Sequence, residues 1–118
     1  MKPIAVKGMQ LTFLPFTNPQ WQVKTEPSDT TTVDDNGVYF DKVKIQLVSA
    51  TASSGNFVSA DEVTLEGTAQ YTKIDNKPVL LLGDNVQGNA KVQSGSTTTT
   101  VPFVCQIQDA GQTVMQGE

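Results

Sequence analysis

The sequence predicts an all-β fold: a single domain of antiparallel hairpins, compact or conical, with little or no helix. Two observations carry this. Apolar residues recur at every second position in several separate runs, and no window holds an apolar stripe of 3.6-residue period. Between the runs stand turn signals made of Asn, Asp, Gly and Ser. The length of 118 residues suits one domain with a modest core.

Each element follows from these patterns in order. In QLTFL, Leu11 and Phe13 share one face. WQVKT sets Trp21 and Val23 opposite Gln22 and Lys24, inside a Pro-containing region, 15–34, expected to hold the longest loop. Asp35-Asn36-Gly37 predicts a tight hairpin turn, because Asn-Gly readily takes the positive φ angles such turns need. DKVKIQLVS places Val43, Ile45 and Leu47 on a buried face, with Lys42, Lys44 and Gln46 on a wet one. DEVTLEGTAQYTKI does the same with Val63 and Leu65 against Thr64 and Glu66. Asp75-Asn76 predicts a second hairpin between AQYTKI and PVLLL. Ser54-Gly55-Asn56, Gly83-Asp84-Asn85 and Ser94-Gly95-Ser96 mark further turns. The Thr97–Thr100 run reads as the polar start of a strand, since Thr favours strands. In that strand Val101, Phe103, Cys105 and Ile107 alternate with Pro102, Val104, Gln106 and Gln108.

Composition narrows the function. Apolar residues make up 37% and charged residues 17%, both low for an ordinary enzyme. Thr, Ser, Gln, Asn and Gly fill the balance, as in fibre-like or virion parts. The net charge is −4, and all 8 basic residues are Lys. Without Arg forks or a basic face, nucleic acid is not an expected partner. No apolar run reaches the roughly 18 residues of a transmembrane helix, so no bilayer-spanning segment is expected. MKPIAVKGMQLTF lacks the continuous apolar core of a signal peptide, so synthesis in the cytoplasm is expected. A single Cys allows no internal disulfide.

No catalytic set emerges. His is absent, which removes the commonest general base and metal ligand. Cys105 shares its strand face with apolar residues and reads as a core thiol, not a nucleophile. Asp34 and Asp35 suit a turn better than a cation site, since no alternating ligand pattern with a closing Glu follows. Asp61 and Glu62 are neighbours on extended chain, so their carboxylates point apart and cannot flank one bond. GDNVQG has no Lys-Ser/Thr after it and is no phosphate loop. Lys73 and Lys77 flank the 75–76 turn and read as solubilising charges. No enzyme, metal or cofactor is expected.

One stretch carries a resemblance. TKIDNKPVLLLGDNV runs strand, Asp75-Asn76 turn, Lys77-Pro78, four apolar residues, then Gly83-Asp84. KPIAVKG, from Lys2 to Gly8, repeats the Lys-Pro and Gly spacing, with Met9 where Asp would stand. The pattern resembles the repeat signature of the PAAR and PAAR-like family. Here the tetrad that names the family is Pro78-Val79-Leu80-Leu81, without its Arg. The zinc ligands typical of the family are not matched either, for want of His.

The resemblance implies a small β cone that caps a trimeric β-helical spike of a contractile injection machine, in type VI secretion or a phage tail. It implies assembly into that apparatus or a virion, and tip or baseplate contacts through Lys77, Pro78, Leu80, Leu82, Gly83 and Asp84. The composition alone equally suits another β assembly or binding module, such as a virion, fibre or carbohydrate-binding domain. A sugar site would draw on Trp21, Tyr39 or Tyr71. Val79 and Leu81 are expected on one face of their strand and Leu80 and Leu82 on the other. Either both faces are buried, or the second docks on a partner.

Overall fold

The computed structural model describes residues 2–33, 35–53, 55–112 and 115–117. Among these there is no helix. The strands are β1 (Lys2–Pro3), β2 (Gln10–Leu14), β3 (Thr17–Val23), β4 (Thr32–Val33) and β5 (Asn36–Gly37). Then come β6 (Lys42–Thr51), β7 (Asn56–Ala60), β8 (Val63–Glu66), β9 (Lys73–Ile74) and β10 (Lys77–Pro78). The chain ends with β11 (Asn85–Ser94), β12 (Thr97–Asp109) and β13 (Gln116–Gly117).

Two antiparallel sheets form the body: a four-stranded one in the order β2-β12-β11-β7 and a three-stranded one in the order β3-β6-β8. β7 and β8, joined by Asp61 and Glu62, carry the chain from one sheet into the other. The alternating patterns point inward as expected. Val43, Ile45 and Leu47 from β6, Val63 and Leu65 from β8, and Phe103, Cys105 and Ile107 from β12 meet in one core with Leu11 and Phe13 of β2. Rings fill its centre: Phe13 lies 5.8 Å from both Trp21 and Phe103, and Phe16 meets Phe57 edge-on at 5.9 Å. Lys42 and Lys44 stay exposed on the outer face, where their charge keeps water contact.

Two expectations need correction. The region 15–34 is not one long loop, since the strand seen in WQVKT begins earlier, at Thr17, and Thr17–Val23 pairs with β6. Asn18 and Pro19 hid its first half, because they interrupt the alternation; the ladder absorbs them as a bulge, with its register shifting between Thr17 and Gln20. Nor do Asn36-Gly37 form the bend of their hairpin. Val33 pairs with Asn36 and Thr32 with Gly37, so the bend falls before Asn36, and Asp35 takes the positive φ of 67°. Gly37 is needed for another reason: a Cβ there would run into the Ser28 carbonyl oxygen and stand 2.9 Å from Pro27 Cβ. Asp34 and Ser54, parts of two sequence-predicted sites, lie outside the described residues. The Asp75-Asn76 hairpin forms as expected, with φ of 51° and 66° and Ile74 paired to Lys77.

Candidate docking site at the three-hairpin end

Beyond the two sheets, three short segments close one end of the core: Ile4–Val6, Val38–Phe40 and Val79–Leu81. Each bridges the next in a cycle, Ile4 with Leu81, Val6 with Val38 and Phe40 with Val79. Their central residues are bonded head to tail. Ala5 N–H donates to the Leu80 carbonyl at 2.9 Å, Leu80 N–H to Tyr39 at 3.1 Å, and Tyr39 N–H to Ala5 at 3.0 Å. A second ring surrounds the first: Lys7 N–H donates to Gly37, Asp41 N–H to Pro78, and Leu82 N–H to Pro3, at 2.9, 2.7 and 2.9 Å. The chain has therefore built a pseudo-threefold triangle from three unlike sequences. The molecule measures 49 × 23 × 22 Å.

Alternation along each side of the triangle makes two layers. The central residues Ala5, Tyr39 and Leu80 join the main core. The outer residues Ile4, Val6, Val38, Val79 and Leu81 join Val33 and Ala69 in a second cluster, with Phe40 and Ile74 packed against it. Both faces of the apolar run Val79–Leu82 are thus used, which is why a one-sided strand pattern could not accommodate it. Burial holds the Tyr39 phenol above its ordinary value of 10.0, with Glu26 adding to the shift.

A hairpin stands over each side of the triangle. Two are β4–β5 and β9–β10; the third is assembled from β13 and β1, which come from opposite ends of the described chain. They are tied down alike. Val38 N–H donates to Thr31, Val79 N–H to Thr72, and Ile4 N–H to Met115, at 3.0, 3.2 and 3.1 Å. These same six residues line a cup of about 310 Å³, with Thr30, Lys73, Ile74 and Asp75 completing it. The cup is apolar at its floor and polar at its rim, and it lies where the three hairpins meet.

The sequence-predicted contact residues divide here. Leu80 is fully buried in the main core and Asp84 is buried with only 6% exposed. A partner cannot reach them, so these two are corrected to structural roles. The Asp84 carboxylate accepts from Leu81 N–H at 2.8 Å and from the Thr68 hydroxyl. It fixes the turn at Gly83, whose φ is 94°. Pro78, Leu82 and Gly83 are half-buried, and Lys77 is exposed beside Asp41 at 3.7 Å.

Sequence reading missed Val38, Thr31 and Met115. A signal existed for the first two: TTVDDNGV (31–38) aligns without a gap on TKIDNKPV (72–79). Lacking the Lys-Pro and Gly-Asp landmarks, it passed as an ordinary turn.

Two further candidates, Cys105 and Glu62, are held in structural contacts. Cys105 is fully buried and its thiol is pushed up to about 12 by that burial. Glu62 is salt-bridged to Lys24 at 2.7 Å, and this hydrogen bond, working against some desolvation, lowers its carboxyl below the ordinary value. No cluster of metal-binding side chains occurs among the described residues, and no described helix is long and apolar enough to cross a membrane. Comparison with known protein families, curated proteins and solved structures gives no match.

Proposed function

We propose that the chain is a structural tip or baseplate component that seats its three-hairpin end on the threefold axis of a trimeric spike. The observation that carries this reading is the closed cycle of backbone bonds Ala5→Leu80→Tyr39→Ala5. Within the chain the cycle satisfies the backbone groups of three buried residues. A threefold surface does match a threefold partner, because each third of the partner then meets the same backbone shape. The cup on that axis sets the exposed Thr30, Lys73 and Asp75 and the half-buried Thr31, Thr72 and Ile74 around the buried Ile4, Val38 and Val79. Exposed Met115, at 44%, adds an apolar rim contact. The resemblance of residues 73–85 to PAAR-like repeats points the same way.

The test is reconstitution with a purified trimeric β-helical spike protein, read by mass. One chain per trimer is expected, and Met115→Glu should weaken the complex at least tenfold without lowering the melting temperature. Three chains per trimer, or a complex indifferent to Met115→Glu and Thr31→Arg, would overturn coaxial docking.

A further inference from the structure

A second opening shares no lining residue with the cup at the hairpin end. β2 and β3 follow each other in sequence yet belong to different sheets, each as an edge strand. The seam between them opens into a cleft of about 530 Å³, within the range of small-molecule sites.

Both walls of this cleft are bulged. On β12 the ladder to β2 pairs Ile107 with Leu11 and Asp109 with Gln10, leaving Gln108 as the extra residue. On β3 the ladder to β6 shifts between Thr17 and Gln20 and again between Gln20 and Trp21, with Asn18 at a φ of 49°. Bulges re-aim side chains, and here Asn18, Pro19, Gln20 and Gln108 all line the opening, together with Gln10 and Trp21. Two bulges in two different ladders converge on one cleft.

The lining has one chemical character. It presents four side-chain amides, an indole and a proline ring, and no charged group. Gln10 spends its amide N–H on the Gly8 carbonyl. Among the described residues the side chains of Asn18, Gln20 and Gln108 engage no protein group, which leaves their donors and acceptors for a ligand. An uncharged lining offers nothing to offset the desolvation of an ion, so it selects a neutral ligand. Paired donors and acceptors suit vicinal hydroxyls. Trp21 and Pro19 supply apolar surface for the C–H face of a ring.

We infer that the bulged cleft between β2 and β3 binds a neutral sugar, one or two hexose units of an uncharged glycan. An added peptide strand fits less well. Pro19 lacks an N–H, and the left-handed Asn18 breaks the flat edge that strand addition requires. This inference is independent of the three-hairpin end, whose residues it does not share.

Trp21 is the chain's only Trp, so its emission reports the cleft without labelling. The probes are maltose, cellobiose and N,N′-diacetylchitobiose. A sulfated disaccharide and a neutral extended hexapeptide serve as controls, and each compound is also followed by saturation-transfer NMR. At least one neutral disaccharide should bind saturably with a Kd of about 1 mM, weak as expected for a small open site. Gln20→Ala and Gln108→Ala should each weaken it about tenfold with an unchanged melt, since both side chains are exposed and unbonded. No saturable signal by either method from any neutral disaccharide would overturn the inference. So would binding unchanged in the Gln20→Ala/Gln108→Ala double variant, or saturable binding of the hexapeptide alone.

Discussion

The Asp84 carboxylate accepts the backbone N–H of Leu81 at 2.8 Å from a buried position. The same side chain takes the Thr68 hydroxyl on its other oxygen, tying the last side of the triangle to the segment before β9. Asp84→Ala should therefore lower stability by about 2–4 kcal/mol, because it strands a buried N–H as well as removing a charge-assisted bond. Asp84→Asn keeps one acceptor for Leu81 and can donate to Thr68, so the loss should fall to about 1 kcal/mol. Urea melts of the two variants check this: equal losses would show that the charge, not the bond to Leu81, is what matters.

Gly37 and Gly95 should respond differently to Ala. At Gly37 the added methyl meets backbone, the Ser28 carbonyl, and sits 2.9 Å from Pro27 Cβ. Backbone cannot step aside cheaply, so Gly37→Ala should cost about 1–3 kcal/mol or more and loosen the β4–β5 hairpin. At Gly95 the φ is +63° but nothing stands within 4 Å. Only the left-handed conformation is penalised there, by about 1 kcal/mol. Thermal melts that rank Gly95→Ala as the worse variant would contradict this account.

Cys105 should make stability fall at high pH. Its folded thiol ionises at about 12 against an ordinary 9.0, because burial disfavours the thiolate. Above pH 9 the unfolded chain loses this proton while the folded chain keeps it. The unfolded state then binds fewer protons, so stability drops as pH rises from about 9 to about 12, by at most about 1.4 kcal/mol per pH unit. Cys105→Val removes the group. The native chain's stability should fall relative to the variant's across that window, and the offset between the two curves should stay constant below pH 8. In the native protein at neutral pH, a thiol reagent should label Cys105 only at the rate of opening.

These behaviours differ in how far the sequence announced them. Period-2 alternation placed Val43, Ile45, Leu47, Phe103, Cys105 and Ile107 correctly, because a strand with one wet face writes its burial directly into its pattern. The same rule fell short wherever a strand is irregular. β3 carries Asn18 and Pro19 in a bulge, and the bulge breaks the alternation that would have extended the strand back from Trp21 to Thr17. The triangle was half legible. Lys2-Pro3 and Lys77-Pro78 share a spacing to Gly8 and Gly83, but Val38–Phe40 lacks both landmarks and is marked in sequence only by the ungapped likeness of TTVDDNGV to TKIDNKPV. Exposure within the stretch 77–84 was not legible at all. An apolar residue on a two-sided strand and one on a docking face look alike in sequence, and only the packing of Leu80 under the triangle separates them.

That packing yields the sharpest expectation. Leu80 and Leu81 are neighbours that point to opposite faces, yet their exposures are 0% and 6%. Leu80 enters the main core and Leu81 the cluster beneath the hairpins. Leu80→Asp and Leu81→Asp should both be severe, costing at least about 3–5 kcal/mol, because each loses a packed side chain and buries an unpaired carboxylate. A marginally stable domain with about 5–15 kcal/mol in hand would lose much of it in either case. Lys77→Glu, on the same stretch, is the contrast. Its ion pair with Asp41 spans 3.7 Å between side chains 55% and 39% exposed, and such surface pairs contribute about 0–1 kcal/mol. That variant should melt close to the parent chain. One tolerated Asp at 80 or 81 would mean that its face is open to a partner, and would return that residue to the docking surface.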